Sequence, residues 1–298
     1  VIFGQSNTSA YGPVDTGVLV HLSGATAGFN VYGSSANDRL GTSVCGGDIN
    51  NDGIDDVIIS APYSDIYYNN AGTVYVLYGH TGTANSVELS SFVSGSAGFM
   101  IIGGNSGDYA GTSVSTGDVN GDGIVDMLIG AVGVDTINYS NAGAVYVVYG
   151  RRRGYKFVDI QLEWFTTGPG RGIVILGGSN DASTGSSVGS CDVNNDGVSD
   201  ILIGANTATV DTQTAAGITY VLFSTPPPTC VGVDVLALAL EVAGVLGLDL
   251  DLLGHRRVID AGTERGHAHQ RGVVELGPPQ QLGRRGCLIV HSYPLSLR

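Results

Sequence analysis

A nine-residue pattern, D-x-N-x-D-G-x-x-D, occurs three times in the chain and limits its possible folds more than any other feature. The copies span residues 48–56, 118–126 and 192–200, so their first aspartates are 70 and 74 residues apart. An apolar run directly follows each copy. Self-similarity at a fixed period is the signature of a protein built from structural repeats.

Other landmarks keep the same period and indicate what each repeat contains. A G-x-S-V motif begins seven residues before each loop, at Gly41, Gly111 and Gly185. The consecutive apolar residues after each loop predict a strand that is buried on both faces, joined to the G-x-S-V strand as a hairpin. With two further short strands per repeat, we predict an all-β fold made of β-propeller blades with four antiparallel strands each.

The period also divides the chain into domains. We predict propeller repeats over residues 1–224, with blades around 5–79, 80–150 and 151–224, and an atypical tail over 225–298. In the tail Asn disappears, Leu and Arg become more frequent, and no fourth loop follows. We interpret it either as a disordered extension or as a gene-model artefact.

The first residues, VIFG, match the strand that closes each repeat. Propellers usually close with four to eight blades. We therefore expect further blades to precede Val1, and the three repeats to be part of a larger propeller.

The chemistry of the repeated loops favours a hard cation. Oxygen-bearing side chains at positions 1, 3, 5 and 9, a Gly at position 6 and a backbone carbonyl at position 7 suit the six to eight oxygen ligands of Ca²⁺. We predict about three Ca²⁺ sites. Their ligands are Asp48, Asn50, Asp52, Ile54 and Asp56; Asp118, Asn120, Asp122, Ile124 and Asp126; and Asp192, Asn194, Asp196, Val198 and Asp200.

Two other interpretations of the loops are less favourable. An EF-hand needs a Glu at position 12 between two helices, whereas position 12 is Ile59, Ile129 or Ile203 and the flanking segments have strand patterns. A single loop of this kind could be an acidic turn without metal, because Asp, Asn and Gly favour turns. Three loops with every ligand in place favour the cation.

Composition excludes several classes of function. The net charge of −14 argues against nucleic acid and anionic membranes as partners. No H-E-x-x-H or P-loop pattern is present, so we predict no enzyme activity and no catalytic residues. Arg151, Arg152 and Arg153 could dock an acidic partner, although a solvated loop is favoured.

Two further residue types carry predictions of their own. Asn7 and Asn138 begin N-glycosylation patterns. Cys45 and Cys191 are predicted to be small buried residues.

The repeats resemble FG-GAP repeats. The resemblance lies in the G-x-S-V strand, the D-x-N-x-D-G-x-x-D loop and the closing V-Y-V-x-Y-G strand, and it covers residues 1–224. Such repeats build the seven-bladed propeller at the N-terminus of integrin alpha subunits. They also occur in related extracellular proteins, including a phospholipase that acts on glycosylphosphatidylinositol anchors. The Phe of the FG element is replaced, since Leu40, Ala110 and Thr184 precede the glycines.

The resemblance implies a partial propeller of the integrin alpha type, with structural Ca²⁺ in the loops. It implies an extracellular or cell-surface location, a protein or glycan ligand, an integrin-beta-like subunit as partner, and no membrane insertion by this segment. Cell adhesion is the leading expectation for its function. The alternatives are an accessory propeller of a secreted or surface hydrolase, and a lectin built from repeats.

Overall fold

The computed structural model describes residues 29–226, except for 82–85, 166 and 169, and the backbone of two further strands at 257–260 and 271–274. The chain divides into two units, Val1–Pro227 and Pro228–Arg298. The predicted strand at the start of the chain, the glycosylation pattern at Asn7 and most of the tail lie outside the described residues.

The described part of the first unit is almost entirely strand. In chain order the strands are β1 (Val31–Tyr32), β2 (Val44–Gly47), β3 (Asp56–Ala61), β4 (Thr73–Leu77), β5 (Val87–Glu88), β6 (Gly98–Ile102), β7 (Ala110–Gly117), β8 (Asp126–Ala131), β9 (Ala144–Val148), β10 (Ile160–Gln161), β11 (Gly172–Leu176), β12 (Thr184–Cys191), β13 (Asp200–Ala205) and β14 (Ile218–Leu222). Two single 3₁₀ turns, Leu89–Ser91 and Leu162–Trp164, are the helical segments of the described residues. No helix in this part of the chain has the length and apolar character needed to cross a membrane.

Twelve of these strands form three consecutive sheets that correspond to propeller blades, whereas β1 and β5 pair in parallel as a separate two-stranded sheet. The first sheet has the order β2-β3-β4-β6-β10, the second β7-β8-β9-β11, and the third β12-β13-β14. Within each sheet successive strands are antiparallel, apart from the short parallel pair β6–β10. This arrangement confirms the predicted all-β fold made of antiparallel β-propeller blades.

The second strand of each blade is largely buried, as its continuous apolar sequence predicts. Every residue of β8 is buried, and five of the six residues of β3 are. Successive side chains of a strand point to opposite faces. Met127 and Ile129 therefore pack in the core shared with the first sheet, whereas Leu128 packs with Ile201 and Ile203 of the third. The sheets are thus stacked face to face, and the second sheet is covered on one face by the first sheet and on the other by the third.

Hydroxyl groups of the G-x-S-V strands bond neighbouring blades to one another. Thr116 Oγ1 donates to the carbonyl of Gly46 in the first blade at 2.8 Å. The Ser113 hydroxyl donates to the carbonyl of Gly185 in the third blade, also at 2.8 Å. The Ser and Thr residues of this motif therefore connect the innermost strands, which explains why small polar residues stand there.

Two glycines allow the main chains of neighbouring blades to touch. Gly72 has φ of +86°, and a Cβ atom added to it would lie 2.2 Å from the carbonyl oxygen of Ala110 in the next blade. Gly143 has φ of +77°, and its Cβ would lie 2.3 Å from the carbonyl oxygen of Thr184. Both positions need Gly for conformation and for space.

The sheets begin and end one strand later than the sequence repeats suggest. The predicted blade ranges 80–150 and 151–224 each include a strand, β6 or β11, that is hydrogen-bonded to the preceding blade instead. The physical reason is that β6 pairs antiparallel with β4, the preceding long strand of the chain, with Val76 opposite Phe99. The first sheet also gains a fifth strand, because Ile160 pairs with Ile101 in parallel.

The two described cysteines differ in environment. Cys45 is partly buried and Cys191 is exposed, so the prediction that both are buried is wrong for Cys191. The residues at the equivalent position of the other blades, Gly47 and Gly117, lie against the next blade. No further blade covers Cys191 within the described residues. Burial raises the pKa of the Cys45 thiol to about 12, although a hydrogen bond with Thr116 opposes the shift.

The second unit contains one described hairpin. Strand β15 (Arg257–Asp260) pairs antiparallel with β16 (Arg271–Val274), with Arg257 opposite Val274.

Replacement of Gly72 by Ala should destabilise the first unit far more than the same change at Gly107. Both glycines have positive φ, but nothing lies within 4 Å of a Cβ at Gly107. We expect Gly107→Ala to cost about 1 kcal/mol from backbone strain and Gly72→Ala about 3 kcal/mol, because the clash adds to the strain. Urea unfolding of both variants measures the difference. Equal losses of stability would contradict the inter-blade contact.

The two cysteines should react at different rates with iodoacetamide at pH 8. A thiol with a pKa near 12 is about one part in ten thousand thiolate at that pH, so Cys45 should stay unmodified while Cys191 is alkylated. Peptide mapping by mass spectrometry measures each site separately. Denatured protein is the control, in which Cys45 should also react. Equal rates in the folded protein would contradict this arrangement.

Candidate metal centre

The three repeated loops connect the first and second strands of the three blades, as the sequence predicts. Residues 48–55 join β2 to β3, and the corresponding loops join β7 to β8 and β12 to β13. The strands on either side pair directly, with Gly47 opposite Asp56 in the first blade. Each loop is therefore held at both ends by an antiparallel hairpin.

The first aspartate of each loop organises the backbone of the turn. Asp48 accepts the backbone N–H of Asp52 at 3.0 Å with one carboxylate oxygen and that of Gly53 at 2.8 Å with the other. Gly53 has φ of +94°, which permits the sharp turn. The same contacts are made by Asp118 with Asp122 and Gly123 (3.1 and 2.7 Å) and by Asp192 with Asp196 and Gly197 (3.0 and 2.8 Å).

The residues at positions 5 and 7 are also fixed in the same way in every loop. Asp52 Oδ1 accepts the backbone N–H of Ile54 at 3.0 Å. The equivalent bonds, Ile124 to Asp122 and Val198 to Asp196, are both 2.9 Å long. The side chains of Ile124 and Val198 are buried. Position 7, predicted to offer a carbonyl oxygen, is therefore anchored by its apolar side chain.

The ninth aspartate of each loop is buried and connects the start of the loop to the residues that follow the third strand of the same blade. Asp126 is fully buried and accepts the backbone N–H of Val119 at 3.0 Å and that of Gly150 at 2.9 Å. Gly150 lies just beyond the third strand, β9. The equivalent donors are Ile49 and Gly79 for Asp56 (3.2 and 2.8 Å), and Val193 and Ser224 for Asp200 (2.8 and 2.9 Å).

This second contact was not predicted from the sequence. The separation from the ninth aspartate to its distant donor is 23, 24 and 24 residues in the three blades. This near-constant separation is visible in the sequence, because the strand that closes each repeat follows the loop at an almost fixed distance. The separation predicts a contact only if the third strand is known to lie beside the second, and the repeat period alone does not show which strands pair.

Burial without a cationic partner makes the carboxyl groups of Asp56 and Asp126 difficult to ionise. Loss of solvation raises the pKa of Asp126 to about 7, and repulsion from Asp122 and Asp118 adds to the shift, while the two N–H donors oppose it. The same causes raise the pKa of Asp56 to about 6. No Lys or Arg contributes to either shift. A bound cation would supply the missing positive charge.

One polar atom in the first loop fits such a cation directly. Asn50 Oδ1 is buried and is the one buried side-chain oxygen or nitrogen of the described residues that has no hydrogen-bond partner. A buried acceptor without a donor is unfavourable unless something else satisfies it. In the second and third loops the equivalent oxygens of Asn120 and Asn194 accept the N–H at position 5, at 2.9 and 3.0 Å.

The loops do not present a finished cage of acidic side chains. Within the described ranges, no three His, Cys, Asp or Glu side chains converge in a way that could hold a metal ion. Each loop instead brings its predicted ligands onto one short turn, where the carboxylates accept the N–H groups of that turn. The residues present fit a hard cation. The donors are the clustered carboxylates, the asparagine oxygen at position 3, which is unpaired in Asn50, and the backbone carbonyl at position 7.

Neighbouring loops are also connected to one another. The backbone N–H of Ser199 in the third loop donates to the carbonyl of Asp118 in the second at 2.9 Å. Arg151, which follows the third strand of the second blade, donates its backbone N–H to the carbonyl of Ile49 in the first loop at 2.9 Å. The loops therefore form one continuous acidic face at the same end of the blades.

Stacked antiparallel blades with one oxygen-rich loop in each define a repeat protein of the β-propeller class. The family model for the FG-GAP repeat matches residues 40–77, 110–148 and 184–222. Each match runs from just before or at the first strand of a blade to the end of its third strand. The chain therefore contains three FG-GAP repeats.

Curated relatives come from two kinds of protein. The chain is 31% identical over 137 residues to the bovine phosphatidylinositol-glycan-specific phospholipase D, covering 46% of this chain and 16% of the relative. It is 30% identical over 126 residues to integrin alpha-4 of Xenopus laevis, covering 42% of this chain and 11% of the relative. Mouse integrin alpha-2 is 35% identical over 101 residues, which cover 33% and 8%. The chain thus spans less than a fifth of the length of these proteins.

Replacement of Asp126 by Ala should destabilise the protein even when a chelator has removed divalent cations. The change leaves the buried N–H groups of Val119 and Gly150 without acceptors, and we expect a loss of about 2 kcal/mol. Asp122→Ala is the matched control, since Asp122 is exposed and water can replace its contact with Ile124. Urea unfolding in chelator measures both. Similar stabilities for the two variants would contradict the role of the ninth aspartate.

Proposed function

We propose that the first unit is a calcium-binding β-propeller module that recognises a protein or glycan outside the cell, with cell adhesion of the integrin alpha type as its role. The observation that carries the calcium part is the buried ninth aspartate. It is held by N–H donors in every blade and faces further carboxylates without a basic partner. The observation that carries the adhesion part is the similarity to integrin alpha-4 and alpha-2.

In this proposal each loop holds one Ca²⁺, and about three are bound in total. The side-chain oxygens at positions 1, 3, 5 and 9 and the carbonyl at position 7 would hold it, and the ion would supply positive charge to the clustered carboxylates. The first aspartate also holds the backbone of the loop in its turn, by accepting the N–H groups at positions 5 and 6. Extracellular modules of this kind bind Ca²⁺ with Kd on the order of 10⁻⁴–10⁻³ M.

The proposed role for the ion is structural. The loop lies between two paired strands, and the ninth aspartate connects it to the end of the third strand. A cation there would reduce repulsion at the point where three strands of one blade meet. We propose that the chain itself is not an enzyme, because its acidic residues are concentrated in these loops. The one match to the G-x-S-x-G motif, Gly185–Gly189, lies within strand β12 and not on the strand-to-helix turn that exposes a nucleophilic serine.

A second candidate function has comparable support from the comparisons. The bovine and human phosphatidylinositol-glycan-specific phospholipases D are 31% and 32% identical to the chain over their matched segments. The repeats would then be an accessory module of a secreted or surface hydrolase. A hydrolase domain encoded beside these repeats in the same gene would favour this function over adhesion. A lectin function would be recognised by specific binding on a glycan array.

The remaining parts of the proposal concern location and partners. An extracellular or cell-surface setting agrees with the kinds of relatives found, and an integrin-beta-like subunit is a candidate partner of an alpha-like propeller. Asn138 lies exposed in the loop between β8 and β9, where a glycan could be attached. Co-purification with a beta-like subunit and loss of mass on treatment with a glycosidase would test these two points.

Calcium should raise the melting temperature, and the number of bound ions should follow the number of intact loops. We expect isothermal titration to give about three sites in the wild type, and one fewer in Asp52→Ala. Asp55→Ala is the matched control, because Asp55 is an exposed acid of the same loop that is not a predicted ligand. It should keep every site. A melting temperature that does not change between calcium and chelator would refute the structural role of calcium.

A further inference from the structure

We propose that the loop of residues 151–156, here called the basic loop, is a docking site for a sulfated polysaccharide. The inference extends the recognition part of the proposed function by naming a partner class and its site. It does not depend on the calcium ligands.

The basic loop concentrates positive charge in an otherwise acidic region. Residues 1–224 contain six Lys and Arg residues, and four of them are Arg151, Arg152, Arg153 and Lys156. The loop also accounts for the additional residues between the second and third repeats. Lys and Arg scattered over a surface contribute to solubility, whereas this clustering produces one local positive potential.

The first arginine fixes the base of the loop. The Arg151 guanidinium lies over the ring of Phe157, 4.5 Å from its centroid, and donates a hydrogen bond to the carbonyl of Lys156 at 3.1 Å. Phe157 is buried and stacks on Phe99 with the ring planes 5° apart and the centroids separated by 4.4 Å. The backbone N–H of Arg151 is held by the carbonyl of Ile49. The loop therefore begins and ends on the core of the first two blades.

The tip of the loop is a tight turn that projects its side chains into solvent. The backbone N–H of Tyr155 donates to the carbonyl of Arg152 at 3.1 Å, and Gly154 has φ of +95°. Arg152, Arg153 and Lys156 are exposed, and the ring of Tyr155 is 71% exposed. Within the described residues, these three cations form no ion pair with a carboxylate. A turn that is already ordered loses less conformational entropy when it binds.

The chemistry of the tip fits sulfate groups carried on a sugar chain. Arginine presents a planar fork of donors that binds tetrahedral oxyanions through paired hydrogen bonds. The exposed Tyr155 ring offers an apolar surface with a polar end beside these cations. A sulfated sugar presents both features at once, whereas a free inorganic anion uses the cations alone.

The surroundings of the loop favour a narrow, flexible polyanion over a broad anionic surface. The base of the basic loop touches the first acidic loop at Ile49, and the neighbouring loop 118–126 is also acidic. A membrane or a DNA duplex laid across this face would meet those carboxylates. Charges in physiological salt are screened over about 8 Å. A linear polysaccharide can therefore contact the projecting tip without approaching the acidic loops.

Heparin binding by the whole chain tests the proposal. The full chain, in buffer with calcium and low salt, is measured on a heparin surface and on a chemically desulfated heparin surface. We expect the wild type to bind the sulfated form, and the triple variant Arg152→Gln, Arg153→Gln, Lys156→Gln to bind with Kd about tenfold higher, since exposed ionic contacts are individually weak. The variant Arg152→Lys, Arg153→Lys keeps the charge but lacks the guanidinium fork, and we expect its Kd to lie between those of the wild type and the triple variant.

Several outcomes would overturn the proposal. They are no binding of the wild type to heparin, equal binding to the desulfated form, or unchanged binding by the triple variant. Binding to vesicles containing phosphatidylserine but not to heparin would assign the loop to a membrane instead. The melting temperature in calcium, measured on the same samples, checks that each variant is folded. If chelator leaves that temperature unchanged, the calcium proposal fails while the heparin result keeps its meaning.

Discussion

A buried carboxylate at the end of each loop holds three parts of a blade together. Asp126 accepts one N–H from the start of its own loop and another from the end of the third strand, and Asp56 and Asp200 do the same. The loop, the buried second strand and the third strand therefore depend on one side chain. Its desolvation is unfavourable, so the blade is built around a buried group that depends on these N–H donors.

Charge is unevenly distributed over the first unit. Acidic residues are concentrated in the three loops, and the loops lie at one end of the blades, connected through the backbones of Ser199 and Asp118. Basic residues are almost absent from this face except in the basic loop, where Arg151 is fixed on Phe157. The same end of the molecule thus presents two opposite kinds of electrostatic surface, one suited to cations and one to anions.

The parts of the fold that follow from local sequence were predictable, and those that depend on pairing were not. The hairpin at residues 48–56 and the buried strand of residues 56–61 follow from turn residues and an apolar run. The pairing of β6 with β4 could not be deduced, because both strands have similar apolar sequences and the period does not state which neighbour each one joins. For the site, the ligand pattern identified the loops. It could not reveal that Asp126 also accepts the N–H of Gly150, nor that Cys191 lies exposed.

The contacts at Gly72 and Gly143 have a consequence for how such blades diverge. Where main chain meets main chain, the distance between blades is set by peptide atoms that every sequence shares. Exposed residues of the outer strands and connecting turns can then be exchanged without altering the angle from one blade to the next. A family with this construction can preserve its geometry while most of its residues drift, and relatives near 30% identity over the matched segments are compatible with that behaviour.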